Sequence, residues 1–153
     1  MTKFLLAVHV IAAILAIGPV AVAASMFPPV ARRGAAATGP GSTDATASLH
    51  LLHRICRVYA VVGVVVPVFG FATASRMGVL GSAWLIVSIA LTVLAALVLA
   101  ALILPAQTAL LEAGGGGTRN PTARLAQYTG LFNLLWAAVT VLMIVRPGST
   151  TGA

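Results

Sequence analysis

Four apolar stretches organise this chain, at about Phe4 to Ala24, Val58 to Ala74, Ala83 to Leu104 and Ala126 to Val145, and every charged side chain falls outside them. Roughly 20 residues of helix, rising 1.5 Å each, cover the ~30 Å hydrocarbon layer. Each stretch can therefore cross a bilayer while its backbone amides bond within the helix. The expected fold class is all-α: a polytopic membrane protein whose four transmembrane helices form one bundle. A single domain over 1–153 is expected, with flexible loops at about 34–48 and 112–121.

Composition excludes the alternatives. Sixty per cent hydrophobic and 7% charged residues, with a mean hydropathy of +1.08, leave too little polar cover for a soluble domain. No segment between the spans is long enough to bury a core of its own. A net charge of +7 would suggest nucleic acid in a soluble chain, but these cations sit beside spans, where they meet anionic headgroups. The expected partners are the lipid bilayer and other integral membrane proteins or a second copy of the chain, with no nucleic acid. The alanine- and arginine-rich usage hints at a GC-rich bacterial gene, hence the bacterial cytoplasmic (inner) membrane. Cys56, alone, cannot form an internal disulfide and offers no metal-ligand spacing.

Lys3, the run to Ile17, Gly18-Pro19 and Ala21-Val22-Ala23 resemble the regions of a secretory signal. Only Lys3 precedes the run, however, whereas Arg32, Arg33, Arg54 and Arg57 follow it, and His9 is unusual in a signal's hydrophobic region. A retained first span is expected. Arg32, Arg33, Arg54, Arg57, Arg119 and Arg124 outnumber Lys3, Arg76 and Arg146 by six to three, which places the first and third loops in the cytoplasm and both termini outside.

Gly34 to Ser48 is low in complexity and is expected to be mobile. A helical pattern starts at about Thr43 or Asp44 and runs into the second span. It sets Leu49, Leu52, Ile55 and Tyr59 on one side and His50, His53, Arg54 and Arg57 on the other, a basic stripe at lipid-headgroup depth. Glu112 to Pro121, with glycines at 114–117, reads as a connector; it lacks the strand and lysine of a phosphate loop.

Small residues suggest where helices meet. Ser88, Thr92, Ala96 and Ala100 recur every four positions, a ridge expected to be buried in protein. Gly63, Gly70 and Ala74 share a side of the second span, which Pro67 should bend. Gly130, Asn133, Ala137 and Thr140 line one face of the fourth, where Asn133 should find an interhelical partner. Trp84, Trp136 and Tyr128 lie where interfacial anchors occur.

His9, five residues into a span, is either a neutral imidazole bonded to a neighbouring helix or a ligand or proton relay. His50 and His53 could share a metal by their i, i+3 spacing, but without Asp, Glu or Cys on that face the solvated basic stripe is the preferred reading. They precede the second span on the side opposite His9, about 20 Å away at 1.5 Å per residue, too far to share a haem iron with it.

His9, Gly18, Phe27-Pro28-Pro29 and Arg32, then Arg54, Arg57 and Gly70, resemble the pattern of a poorly characterised family of small four-helix bacterial integral membrane proteins. More distantly the chain resembles HemJ-type protoporphyrinogen oxidases and CopD-type copper-resistance membrane proteins, over about residues 4 to 75. The HemJ-type likeness implies that His9 ligates haem b, although the span Ala83 to Leu104 lacks the lysine and histidine that likeness calls for. The CopD-type likeness implies copper, for which Met1, Met26, Met77 and Met143 form no cluster.

Three functions remain. The first is a non-catalytic accessory or small subunit of a larger membrane assembly, such as a respiratory one; the second a haem- or quinone-binding protein using His9; the third a small transporter or channel, for which Ser88, Thr92, Asn133 and Thr140 make a thin polar set. Asp44 and Glu112, the only carboxylates, lie in loops and form no acid–base pair, so no catalytic residue is expected.

Overall fold

The computed structural model describes residues 2–114 and 119–148. Its elements are α1 (Thr2–Ala36), α2 (Pro40–Val62), α3 (Val65–Met77), α4 (Ala83–Leu97), a π-helical segment (Val98–Ile103), α5 (Leu104–Glu112) and α6 (Arg119–Val145). α2 with α3, and α4 with the π segment and α5, each form one rod. Four helices of 34, 38, 30 and 26 residues are thus long and apolar enough to cross a membrane. At 1.5 Å per residue all exceed the ~30 Å needed. The fold is an all-α four-helix bundle.

The first connection is far shorter than the sequence suggests. The expected mobile stretch 34–48 is helical except at 37–39, and the second helix begins at Pro40 rather than Thr43 or Asp44. Alanine is the best helix former, and proline is pre-set for a first helical turn. The Ser42, Thr46 and Ser48 hydroxyls donate to the Gly39, Ser42 and Asp44 carbonyls at 2.7, 2.9 and 2.9 Å, so the polar residues are satisfied along the chain itself. Gly39 takes the tight corner at φ 69°, a conformation open to glycine. The glycine connector at 115–118 lies outside the described residues.

Prolines act differently in the first two rods. Pro19, Pro28 and Pro29 lie inside α1 without ending it. Pro28 withholds the amide that would bond the Ala24 carbonyl; the Thr129 hydroxyl of α6 donates to that oxygen at 3.5 Å, a substitution common between membrane helices. Pro67 withholds a donor from the Gly63 carbonyl. There the rod breaks into α2 and α3, and the Val66 N–H reaches back only three residues to Gly63 at 3.1 Å.

The third rod runs to Glu112, eight residues beyond the expected end at Leu104. Its π segment ends with the Leu104 N–H bonded to the Leu99 carbonyl five residues back. The widened turn directly precedes Pro105, whose ring and missing N–H exclude the Ala101 carbonyl from a regular ladder.

Phe27, Leu49, Ile103, Leu125 and Phe132, each at most 1% exposed, form the centre of a core shared by all four rods. Trp84, Leu85 and Ala74 form a second cluster with Met143. There Arg146, in the left-handed region at φ 45°, closes α6 and lies 5.8 Å over the Trp84 ring. Trp84 is therefore a packed cation–π partner and not simply an anchor in headgroups. Outside, Phe4, Val61, Leu134 and Ile144 are 70–75% exposed. An exterior this apolar needs lipid as its solvent: the protein is a multi-pass integral membrane protein.

Candidate functional sites

His9 sits on the α1 face that meets α3. Its Nδ1–H donates to the Val66 carbonyl at 2.9 Å, since a carbonyl can only accept. The ring presses on Gly70: a Cβ built there would lie 2.8 Å from His9 Cε1 and 3.2 Å from Nδ1. Gly70 is thus required by close approach, and His9 clasps two rods beside the Pro67 bend. Val66 follows His53 and His50 by 13 and 16 residues along the rod, about 20 Å or more of helix. The residues present do not fit a two-histidine haem.

The basic stripe lies on α2. Leu49, Leu52 and Cys56 are buried, while His50, Arg54 and Arg57 are exposed. His53 is half-buried because it has a partner: its Nδ1–H donates to Gln107 Oε1 on α5 at 3.0 Å. Gln107 is fully buried, and its Nε2 points to Cys56 Sγ at 3.6 Å. Sequence reasoning passed over Gln107. The available signal was an amide in the run Leu104-Pro105-Ala106-Gln107, near the end of a span, where a polar side chain must find a partner. His50, His53, Arg54, Arg57, Val58 and Val61 line an open groove of about 470 Å³.

A second groove, of about 290 Å³, separates α1 from α6, lined by Ser25, Pro28, Pro29 and Arg32 on one side and Ala126, Thr129, Gly130 and Asn133 on the other. Asn133 Nδ2 donates to Ser25 Oγ at 3.1 Å. Asn133 Oδ1 and Trp136 Nε1 are buried with no hydrogen-bond partner among the described residues. Trp136 packs edge-on to Phe132, with centroids 6.3 Å apart.

The small-residue faces are only partly inside the chain. Of the third-span ridge, Ser88 is buried and Thr92 half-buried, but Ala96 and Ala100 are exposed. The reason is geometric: steps of four advance 40° each round an α-helix, so the row drifts about 120° between positions 88 and 100. The inward line follows Ser88, Ala95, Val98 and Leu99 instead, and continues through Ile103 to Gln107 across the widened turn. On the second rod Gly63 and Gly70 are half-buried and Ala74 is buried. On α6, Gly130, Ala137 and Thr140 face outward. Its inward line runs through Leu125, Phe132 and Val139, about 130° round the helix.

The Ser88, Thr92 and Thr140 hydroxyls donate to carbonyls four residues back at 2.8 Å, so they are spent on their own helices. Among the described residues no group of three or more His, Cys, Asp or Glu is placed to hold a metal. Compared with known proteins, the chain matches no family model, no curated protein and no solved structure.

Proposed function

We propose that this protein is a non-catalytic accessory or small subunit, packing laterally against a larger assembly, such as a respiratory one, in the bacterial cytoplasmic membrane. The observation that carries this reading is the α6 flank: Gly130 and Ala137 face outward beside Asn133, whose Oδ1 is buried with no hydrogen-bond partner among the described residues. Small residues let a second helix backbone come close, and interhelical hydrogen bonds add to such contacts. Nothing lies within 4 Å of a Cβ at Gly130, so a side chain is not excluded there by packing within the chain. A likeness to small four-helix bacterial membrane proteins agrees with the reading.

A photo-crosslinking side chain at Ala137, in cells, should give one discrete adduct with another integral membrane protein or a second copy, while one at Leu134 gives lipid adducts only. Lipid adducts alone at both positions would overturn the assignment. In our reading both termini lie outside and the first and third loops face the cytoplasm. With Cys56 replaced by serine, a cysteine at Gly41 should be shielded from an impermeant maleimide in intact cells, and one at Gly81 labelled.

A further inference from the structure

We infer that the α2 groove is a binding site for a single hydroxyl-bearing anionic phospholipid, with the phosphate held by Arg54 and Arg57, a headgroup hydroxyl donating to His53 and the acyl region lying over Val58 and Val61. This is separate from the subunit reading above, since it concerns another face of the bundle. The chain has nine Lys and Arg residues but only two Asp and Glu residues, so at most two of these cations can be neutralised by one-to-one side-chain pairs within it. Arg54 and Arg57 are one turn apart on the same exposed face, beside the apolar run of the second rod. Guanidinium groups in that position recruit phosphate, which matches their planar donors.

The groove is built rather than merely charged. Gln107, fully buried on α5, accepts from His53 Nδ1–H and anchors its own amide nitrogen toward Cys56. This ties Nδ1–H and leaves Nε2, the acceptor nitrogen of that tautomer, for a headgroup hydroxyl in the groove that His53 lines. Order along the helix identifies the ligand's shape. From residue 50 to residue 61 the lining passes from His50, His53, Arg54 and Arg57 to Val58 and Val61, that is, from the rod's polar end into its apolar run. A phospholipid presents the same sequence of phosphate then hydrocarbon, whereas free phosphate would leave the valines unmatched. Val61 is 74% exposed in the chain alone.

The test uses the full chain purified in a mild non-ionic detergent and exposed to equal amounts of phosphatidylglycerol and phosphatidylcholine, with bound lipid counted by native mass spectrometry. One phosphatidylglycerol per chain is expected to be retained in preference to phosphatidylcholine. The preference should fall roughly fivefold with Arg54→Gln or Arg57→Gln and about twenty-five-fold with both, as the contribution per cation near a lipid surface implies. Gln107→Leu and His53→Ala should lower retention to a similar extent as each other, a correspondence that a merely structural glutamine would not produce. Val61→Trp, at an exposed position, should block retention without disturbing the fold. Unchanged preference in the double arginine variant would overturn the proposal. An equal loss with Arg32→Gln plus Arg33→Gln, neither of which lines the groove, would do the same by showing bulk charge alone at work. Displacement of the lipid by millimolar inorganic phosphate would overturn the lipid assignment.

Discussion

His9 and His53 make the same bond to different ends. Each donates from Nδ1 to an oxygen on a neighbouring rod, at 2.9 Å to the Val66 carbonyl and at 3.0 Å to the Gln107 amide. His9 is then closed over by Gly70, with no room even for a methyl group, whereas His53 borders an open cationic groove. The difference teaches that a histidine's role here is set by what faces the ring once its first nitrogen is tied. Against glycine it becomes a clasp. Beside arginines and a gap it remains available to a ligand.

The largest expected effect tests the clasp. Gly70→Leu should cost upward of about 3 kcal/mol, and Gly70→Ala about 1–3 kcal/mol, because the ring cannot retreat without losing its bond. Either is measurable by reversible unfolding in mixed micelles. Pairing Gly70→Ala with His9→Ala should recover much of that loss, a coupling that distant sites do not give; strict additivity would break the argument. Next in size, Gln107→Leu should cost about 1–3 kcal/mol by stranding the His53 donor inside the protein. An unchanged unfolding midpoint would place His53 outside the packed structure.

His9→Ala alone should cost about 1 kcal/mol, since interhelical hydrogen bonds in membranes are individually modest. The smallest effect is at Gly130, where a new Cβ meets nothing within 4 Å. Gly130→Ala should be neutral or stabilising by up to about 1 kcal/mol through lower backbone entropy in the unfolded chain. A loss as large as at Gly70 would mean that helix glycines matter here in general and that the His9 contact is not the cause.

Much of this was legible beforehand, for identifiable reasons. The stripe His50, His53, Arg54 and Arg57 followed from spacings of three and four, which an uninterrupted α-helix preserves. The Pro67 irregularity followed from a missing donor. The ridge through Ala96 and Ala100 misled because an every-fourth row drifts round the helix and because the turn before Pro105 widens. Residues 34–48 misled because alanine, serine and threonine read as low complexity yet can satisfy themselves as helix. Gln107 went unnoticed because its partners, His53 and Cys56, are more than 50 positions away.

The sequence by itself determined the solvent and the architecture: hydropathy accumulates residue by residue along a helix, so four crossings can be counted without knowing any contact. Tertiary structure alone decided which atoms meet. His9 finds a backbone carbonyl, which every residue carries and no side-chain pattern marks, and Gly70 matters only because that ring lands on it. Such pairings depend on the relative rotation and register of whole rods, quantities that one bent turn at Gly63 or one widened turn before Pro105 resets for everything beyond it.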